Sequence, residues 1–239
     1  MTENLCFVPR IARVVAVGAP HHVTQRGNNR QKTFFSDADR RVYLAVLGAH
    51  CRRWGVELLG YCLMPNHVHV VAVPRAANAP AKALGRTHHD YAVYLNRRRG
   101  WSGHLWQNRF YSTVMDTAHM MAALRYVDRN PLRAGMVPAA ADYEWSSAKA
   151  HARGRDGASL LEMEAWNELC PLGDWAEALE PRAGDEGVAG RIRSATRTGR
   201  PLGDEEFVTE LERRLGRELK RRKPGPRAQN PGEKGAKIS

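Results

Sequence analysis

GYCLMPNHVHVVAV, residues Gly60 to Val73, is an apolar run broken once by Pro65-Asn66 and carrying two histidines. Pro and Asn together signal a turn, and short loops of this kind join antiparallel strands. The run therefore reads as a hairpin of two strands, VELLGYCLM and HVHVVAV. Side chains alternate across a strand, so His67 and His69 share one face while Val68 and Val70 take the other. With a rise of about 3.3 Å per residue the two imidazoles are rooted roughly 7 Å apart, close enough to converge on one ion. Imidazole is a common metal ligand. A structural role for two histidines on one strand face satisfies the same pattern.

The flanking segments extend this hairpin into a fold. HHVTQRG (His21 to Gly27) reads as a strand and NNRQ as a polar turn. SDADRRVYLAVLGAHCRRWG predicts a helix with Ser36 as N-cap and Asp39 three residues on. Val42, Leu44, Ala45, Leu47 and Gly48 lie inside it, and Gly55 is its stop. After the hairpin a helix is expected from about Pro80 to Arg99, carrying Leu84, Tyr91, Tyr94 and Leu95. GHLWQNRFYSTVMD then predicts a strand, and TAHMMAALRYVDRNP a helix that Pro131 stops near Asn130. The order β-α-β-β-α-β-α specifies an α+β fold, a ferredoxin-like antiparallel sheet with helices on one face and one helix added.

The chain of 239 residues has 37 Lys+Arg against 25 Asp+Glu, a formal net charge of +12. That excess favours a polyanionic partner, nucleic acid before all others. No apolar stretch is long enough to span a bilayer and no secretory leader opens the chain, so a cytoplasmic, nucleoid-associated protein without membrane partners is expected. Cys6, Cys51, Cys62 and Cys170 include no C-x-x-C pair, which argues against a zinc knuckle or a disulfide framework.

Around HARGRDG (His151 to Gly157) the composition shifts. We expect a principal domain over 1–152, a linker or helical connection over 153–190, a basic helical extension over 191–223 and a disordered tail over 224–239. Between Gly190 and Ser239 there are 14 Lys+Arg and 7 Asp+Glu. Phe207, Leu211, Leu215 and Leu219 recur every four residues, with acids before them and bases after, which predicts a helix from Asp204 to Lys223.

A second chemical feature lies in RYVDRNP. Tyr126 and Asn130 are four apart on the expected helix, hence neighbours on one face. Of the seven tyrosines only Tyr126 has an amide or carboxylate at this offset. An amide oxygen can complete a two-imidazole site for Mg²⁺ or Mn²⁺; a core aromatic followed by a helix-ending Asn fits equally. The other H-x-H chemistries fail: a metallo-β-lactamase-like site needs Asp and His where Val71 and Ala72 stand, and an amidohydrolase barrel needs a longer chain with the pair on its first strand.

LMPNHVHVV, GHLWQNRFYS, ALRYVDRNPLRAGMV and DYEWSSA follow in order between about Arg10 and His151. This series resembles the IS200-like single-tyrosine transposases of the HUH nuclease superfamily, in the branch associated with repetitive extragenic palindromes (REP) of bacteria. The resemblance implies the HUH fold, a Mg²⁺ or Mn²⁺ ion on His67, His69 and Asn130, and Tyr126 as nucleophile. It further implies metal-dependent cleavage and rejoining of single-stranded or hairpin DNA through a 5′-phosphotyrosine that leaves a 3′-OH, by a monomer or homodimer, in DNA transposition. A host-retained DNA-binding protein with this fold and no catalysis is the alternative.

Tyr126 lies near a helix C-terminus, where the dipole disfavours an anion, so Arg125 or Arg129 is the expected counter-charge. Candidate DNA contacts are Arg26, the run containing Arg97 and Arg98, Trp106 and Arg109 in WQNRF, and Arg129. The tail adds Arg200, in RTGRP with its resemblance to the GRP of an AT-hook, and Arg221 and Arg222 in KRRK. A core role for Trp106 and solvated ends for the arginine runs suit the same residues.

Overall fold

A computed structural model describes residues 11–170 and 174–220. Strand β1 (His21–Arg26) is followed by α1 (Asp37–Trp54), β2 (Val56–Met64), β3 (His67–Pro74), α2 (Ala79–Arg99) and β4 (Tyr111–Val114). Four helices come next: α3 (Thr117–Asp128), α4 (Asn130–Arg133), α5 (Ala148–Arg153) and α6 (Met163–Leu169). The described chain continues with α7 (Asp174–Ala178), α8 (Asp185–Thr198) and α9 (Glu205–Leu215). The sheet order is β2-β3-β1-β4 with every pairing antiparallel, the arrangement expected of a ferredoxin-like core.

The local signals act where the sequence puts them. Ser36 accepts from Asp39 N while the Asp39 side chain accepts from Ser36 N, so both orphan amides at the start of α1 are satisfied. Gly55 ends the helix in the left-handed region. Pro65-Asn66 forms the two-residue turn between β2 and β3, and Met64 stands opposite His67.

The two faces of the sheet have different coverings. Gln25 pairs with Val68 and Thr24 with His69, which sorts the strand residues by parity. On the Gln25–Val68 face lie α1 and α2, joined by Tyr43 and His88 at 3.0 Å. The face of Thr24 and His69 is covered by α3 and α8. Close approach of α3 depends on Gly60, where a Cβ would lie 2.6 Å from Leu124 Cδ2. The expected one-sided layer thus holds for α1 and α2, and the later helices build a second layer.

Three expected elements change. Leu105 to Phe110 does not extend β4, because its backbone bonds to the end of β1: Asn28 N donates to Leu105 O at 2.8 Å and Gln107 N to Arg26 O at 2.9 Å. Pro131 bends the chain into a short new helix, α4, whose first turn tolerates a missing N–H. Helix α9 ends at Leu215, short of the expected Lys223, since Gly216 is left-handed at φ 60°. The last part of the expected helix and the tail beyond residue 220 lie outside the described residues. From 185 to 220 the chain packs onto the core: α8 lies on β4 and β1, while Leu211 and Leu219 join Val14, Ala16 and Val114 in a small apolar cluster.

Asp128, fully buried at the end of α3, ties the second layer together. It accepts from Ser147 Oγ (2.6 Å), His151 Nδ1 (2.7 Å) and Trp175 Nε1 (2.9 Å). His151 Nε2 faces Leu59 O at 2.8 Å, so both ring nitrogens meet acceptors. Removing a buried acceptor strands the donors it satisfied, at a cost of about 1–3 kcal/mol for each, several kcal/mol in all. Asp128→Ala should lose that much stability in urea unfolding; a loss under about 1 kcal/mol would show the cluster to be dispensable.

Acid should also destabilise the fold. Burial pushes His21 down to about 4 and His88 down to about 3. The unfolded rings titrate near 6.5, so below that pH the unfolded chain binds more protons. Stability is complete above about pH 6.5 and declines progressively towards pH 3. The urea midpoint should therefore fall between about pH 7 and about pH 5, and an unchanged midpoint would contradict this account.

Candidate active site

The face of the sheet under α3 and α8 opens into a cleft of about 580 Å³. His67 and His69 reach it from β3, His22, Thr24 and Arg26 from β1, and Tyr126 and Asn130 from α3 and α4. The strand period puts the two histidines on a common face, and their ring centroids are 4.9 Å apart. The Tyr126 ring stands edge-on to His69 at 5.5 Å and to His22 at 5.9 Å.

Both imidazoles are held in the neutral, ligating form. Burial, aided by the Arg26 and Arg133 cations, pushes His67 down to about 3, and burial holds His69 well below its ordinary value. His67 Nδ1 contacts Asn66 Oδ1 at 2.6 Å. His69 Nδ1 contacts His22 Nε2 at 3.0 Å, and His69 Nε2 is buried without a hydrogen-bond partner among the described residues. An orphaned nitrogen beside a second imidazole fits a metal site. Asn130 is buried, donates to Tyr126 O at 3.0 Å and accepts at Oδ1 from Arg133 Nη2 at 2.7 Å. One lone pair of that amide oxygen remains for a cation. Among the described residues no cluster of three or more His, Cys, Asp and Glu side chains could hold a metal.

The counter-charges differ from those expected. Arg125 and Arg129 are both bound to Asp185 of α8, and Arg125 also donates to Glu180 O at 2.7 Å. This joins α3 to α8 and takes both guanidiniums out of the cleft. The cations beside Tyr126 are Arg133, 5.2 Å from the ring, and Arg193 of α8, within reach of the hydroxyl.

The other candidate DNA contacts are scattered. Arg26 is exposed on the cleft rim. Arg97 is exposed at the end of α2, whereas Arg98 pairs with Asp39 at 2.6 Å. Trp106 is half-buried and donates to His88 O at 2.8 Å. Arg109 is exposed beside a separate cavity on the α2 face. Arg200 donates to Leu219 O at 2.6 Å, away from the cleft, and Arg221 and Arg222 lie outside the described residues.

Cleft residues that escaped the sequence reading include His22, Arg133, Arg193, Thr196 and Arg197. His22 shares a strand face with Thr24 and Arg26, but His21 and Gln25 make the opposite face polar too, so alternation does not mark it. Nothing local marks Arg193 or Thr196.

A family model described as transposase IS200-like matches residues 17–130. No curated protein matches the chain. Among solved structures, a REP-associated tyrosine transposase bound to a REP hairpin is 18% identical, with a TM-score of 0.49 over 65% of this chain and 90% of its own. A proposed transposase from Deinococcus radiodurans R1 is 15% identical, with a TM-score of 0.35 over 50% of this chain and 96% of its own. His67, His69, Tyr126 and Asn130 all fall within the matched segment, and over residues 17–130 the chain is similar to the IS200-like transposases.

Proposed function

We propose that this chain is a metal-dependent single-stranded DNA endonuclease and strand transferase, with Tyr126 as its nucleophile. One observation carries the reading: the bare Nε2 of His69 and the ring of Tyr126 share one cleft with His67 and with the cations Arg133 and Arg193. The net charge of +12 suits a DNA partner. Hairpin-forming DNA is the substrate of choice, following the hairpin bound by the REP-associated relative.

His67, His69 and the Asn130 amide oxygen would hold Mg²⁺ or Mn²⁺. When bound, such an ion polarises the phosphoryl oxygens and stabilises the departing one. The protein's own residues do the rest. Arg133 and Arg193 stabilise the Tyr126 phenolate and draw the phosphodiester into the cleft. The Tyr126 oxygen bonds to phosphorus as the bond from phosphorus to the 3′ oxygen breaks; the tyrosyl proton leaves to solvent and the 3′ oxygen is protonated. The 5′-phosphotyrosine retains the bond energy, so a second 3′-OH can reverse the step and join a new strand.

Tyr126→Phe should form no covalent adduct with a single-stranded hairpin oligonucleotide, while its affinity for that DNA stays within about twofold, because only a hydroxyl is lost from a packed ring. Binding without any adduct in the unmodified protein would favour the non-catalytic DNA-binding reading.

His67→Ala or His69→Ala should lower cleavage on the order of 10³-fold, since several kcal/mol of charge stabilisation depend on the ion. Chelation with EDTA should act alike on the unmodified protein, and Asn130→Ala should weaken metal binding less, because a water oxygen can take the place of an amide oxygen on such an ion. Full cleavage in EDTA would sink the metal-dependent mechanism.

A further inference from the structure

Helix α8 lies beyond the segment that the family model matches, yet one of its side chains enters the hydrogen-bond network of the histidine pair. Thr196 is buried against the sheet. Its Oγ1 lies 2.8 Å from Ile192 O and 2.8 Å from His22 Nδ1. The carbonyl can only accept, so the single hydroxyl hydrogen belongs to the contact with Ile192 O; otherwise two lone pairs would face each other in a buried site. Oγ1 must then accept from His22, which places the hydrogen of that ring on Nδ1 and leaves Nε2 as a lone pair.

His22 Nε2 is 3.0 Å from His69 Nδ1, with the two ring planes only 11° apart. A lone pair on the first atom demands a hydrogen on the second. His69 therefore carries its hydrogen on Nδ1, and its Nε2 is bare, which accounts for that buried nitrogen having no partner.

We propose that Thr196 is a positioning residue that acts through His22 to hold His69 in the Nδ1–H tautomer, presenting Nε2 to the cleft as a ready lone pair for a divalent cation. The ligand role of His69 rests on the metal reading above; the tautomer does not. The role demands a side chain that donates one helical turn back along its own helix and accepts from a ring in the same geometry. A hydroxyl does both, and valine, of nearly the same shape, does neither. The metal site thus extends from the sheet into a helix more than a hundred residues further along the chain.

The test uses the full-length protein with ¹⁵N-labelled histidine. Long-range ¹H–¹⁵N spectra of the metal-free protein in EDTA should report His22 and His69 as Nδ1–H tautomers. In Thr196→Val the His22 Nδ1–H loses its acceptor, so the hydrogen moves to Nε2, donates to His69 Nδ1 and drives His69 to the Nε2–H form. Calorimetric titration with Mn²⁺ should then show affinity lowered about 10- to 100-fold, the usual effect of losing a partner behind a metal-binding histidine. Thr196→Ser should restore both readouts. An Nε2–H tautomer at His69 in the unmodified protein, or an unchanged tautomer or an unchanged Mn²⁺ affinity in Thr196→Val, overturns the proposal. If the unmodified protein binds no Mn²⁺, the metal reading fails, and the tautomers, which need no metal, still decide the relay.

Discussion

The buried carboxylate of Asp128 is the contact on which the candidate site depends. It gathers Ser147, His151 and Trp175 around the end of α3, and His151 in turn reaches the carbonyl of Leu59 on β2. Asp128 and Tyr126 are two residues apart, about 200° around a helix of 3.6 residues per turn. One side of α3 is therefore anchored to the helices that follow it, and the other turns Tyr126 towards the histidines.

The sheet divides its two faces between stability and chemistry. Towards α1 and α2 it offers an apolar layer, with Val68 and Val70 fully buried. Towards α3 and α8 the strands turn the imidazoles of His22, His67 and His69 together with Thr24. Burial keeps those rings neutral, so the floor of the cleft carries no charge of its own. The arginines Arg26, Arg133, Arg193 and Arg197 stand around it. A neutral floor beneath a cationic rim suits an anionic ligand better than a neutral one.

Helix α8 joins these two arrangements. Asp185 at its start neutralises Arg125 and Arg129, and pairing with them holds its carboxyl well below the usual range. Thr196 near its end touches His22. The same helix thus withdraws two cations from the tyrosine helix and supplies Arg193 in their place. The surplus of basic residues late in the chain thus in part lines the cleft and in part holds the fold, with Arg200 also bonded inside it.

What the sequence determined by itself was everything that depends on neighbours along one element. Alternation put His67 and His69 on one face, Pro65-Asn66 placed the hairpin, Ser36 and Asp39 started α1, and the four-residue interval brought Tyr126 and Asn130 together. Tertiary structure alone decided which elements meet. The pairing of β1 with β3 brought His22 to His69, and packing across 174 residues brought Thr196 to His22. Asp185, not sequence proximity, chose which arginines face Tyr126, and the backbone bonds of Leu105 and Gln107 to the end of β1 shortened β4. The reason is physical: the periods of helices and strands record how residues share a face, whereas the partner of that face is selected by long-range burial and hydrogen bonding, which leave no periodic trace in either segment.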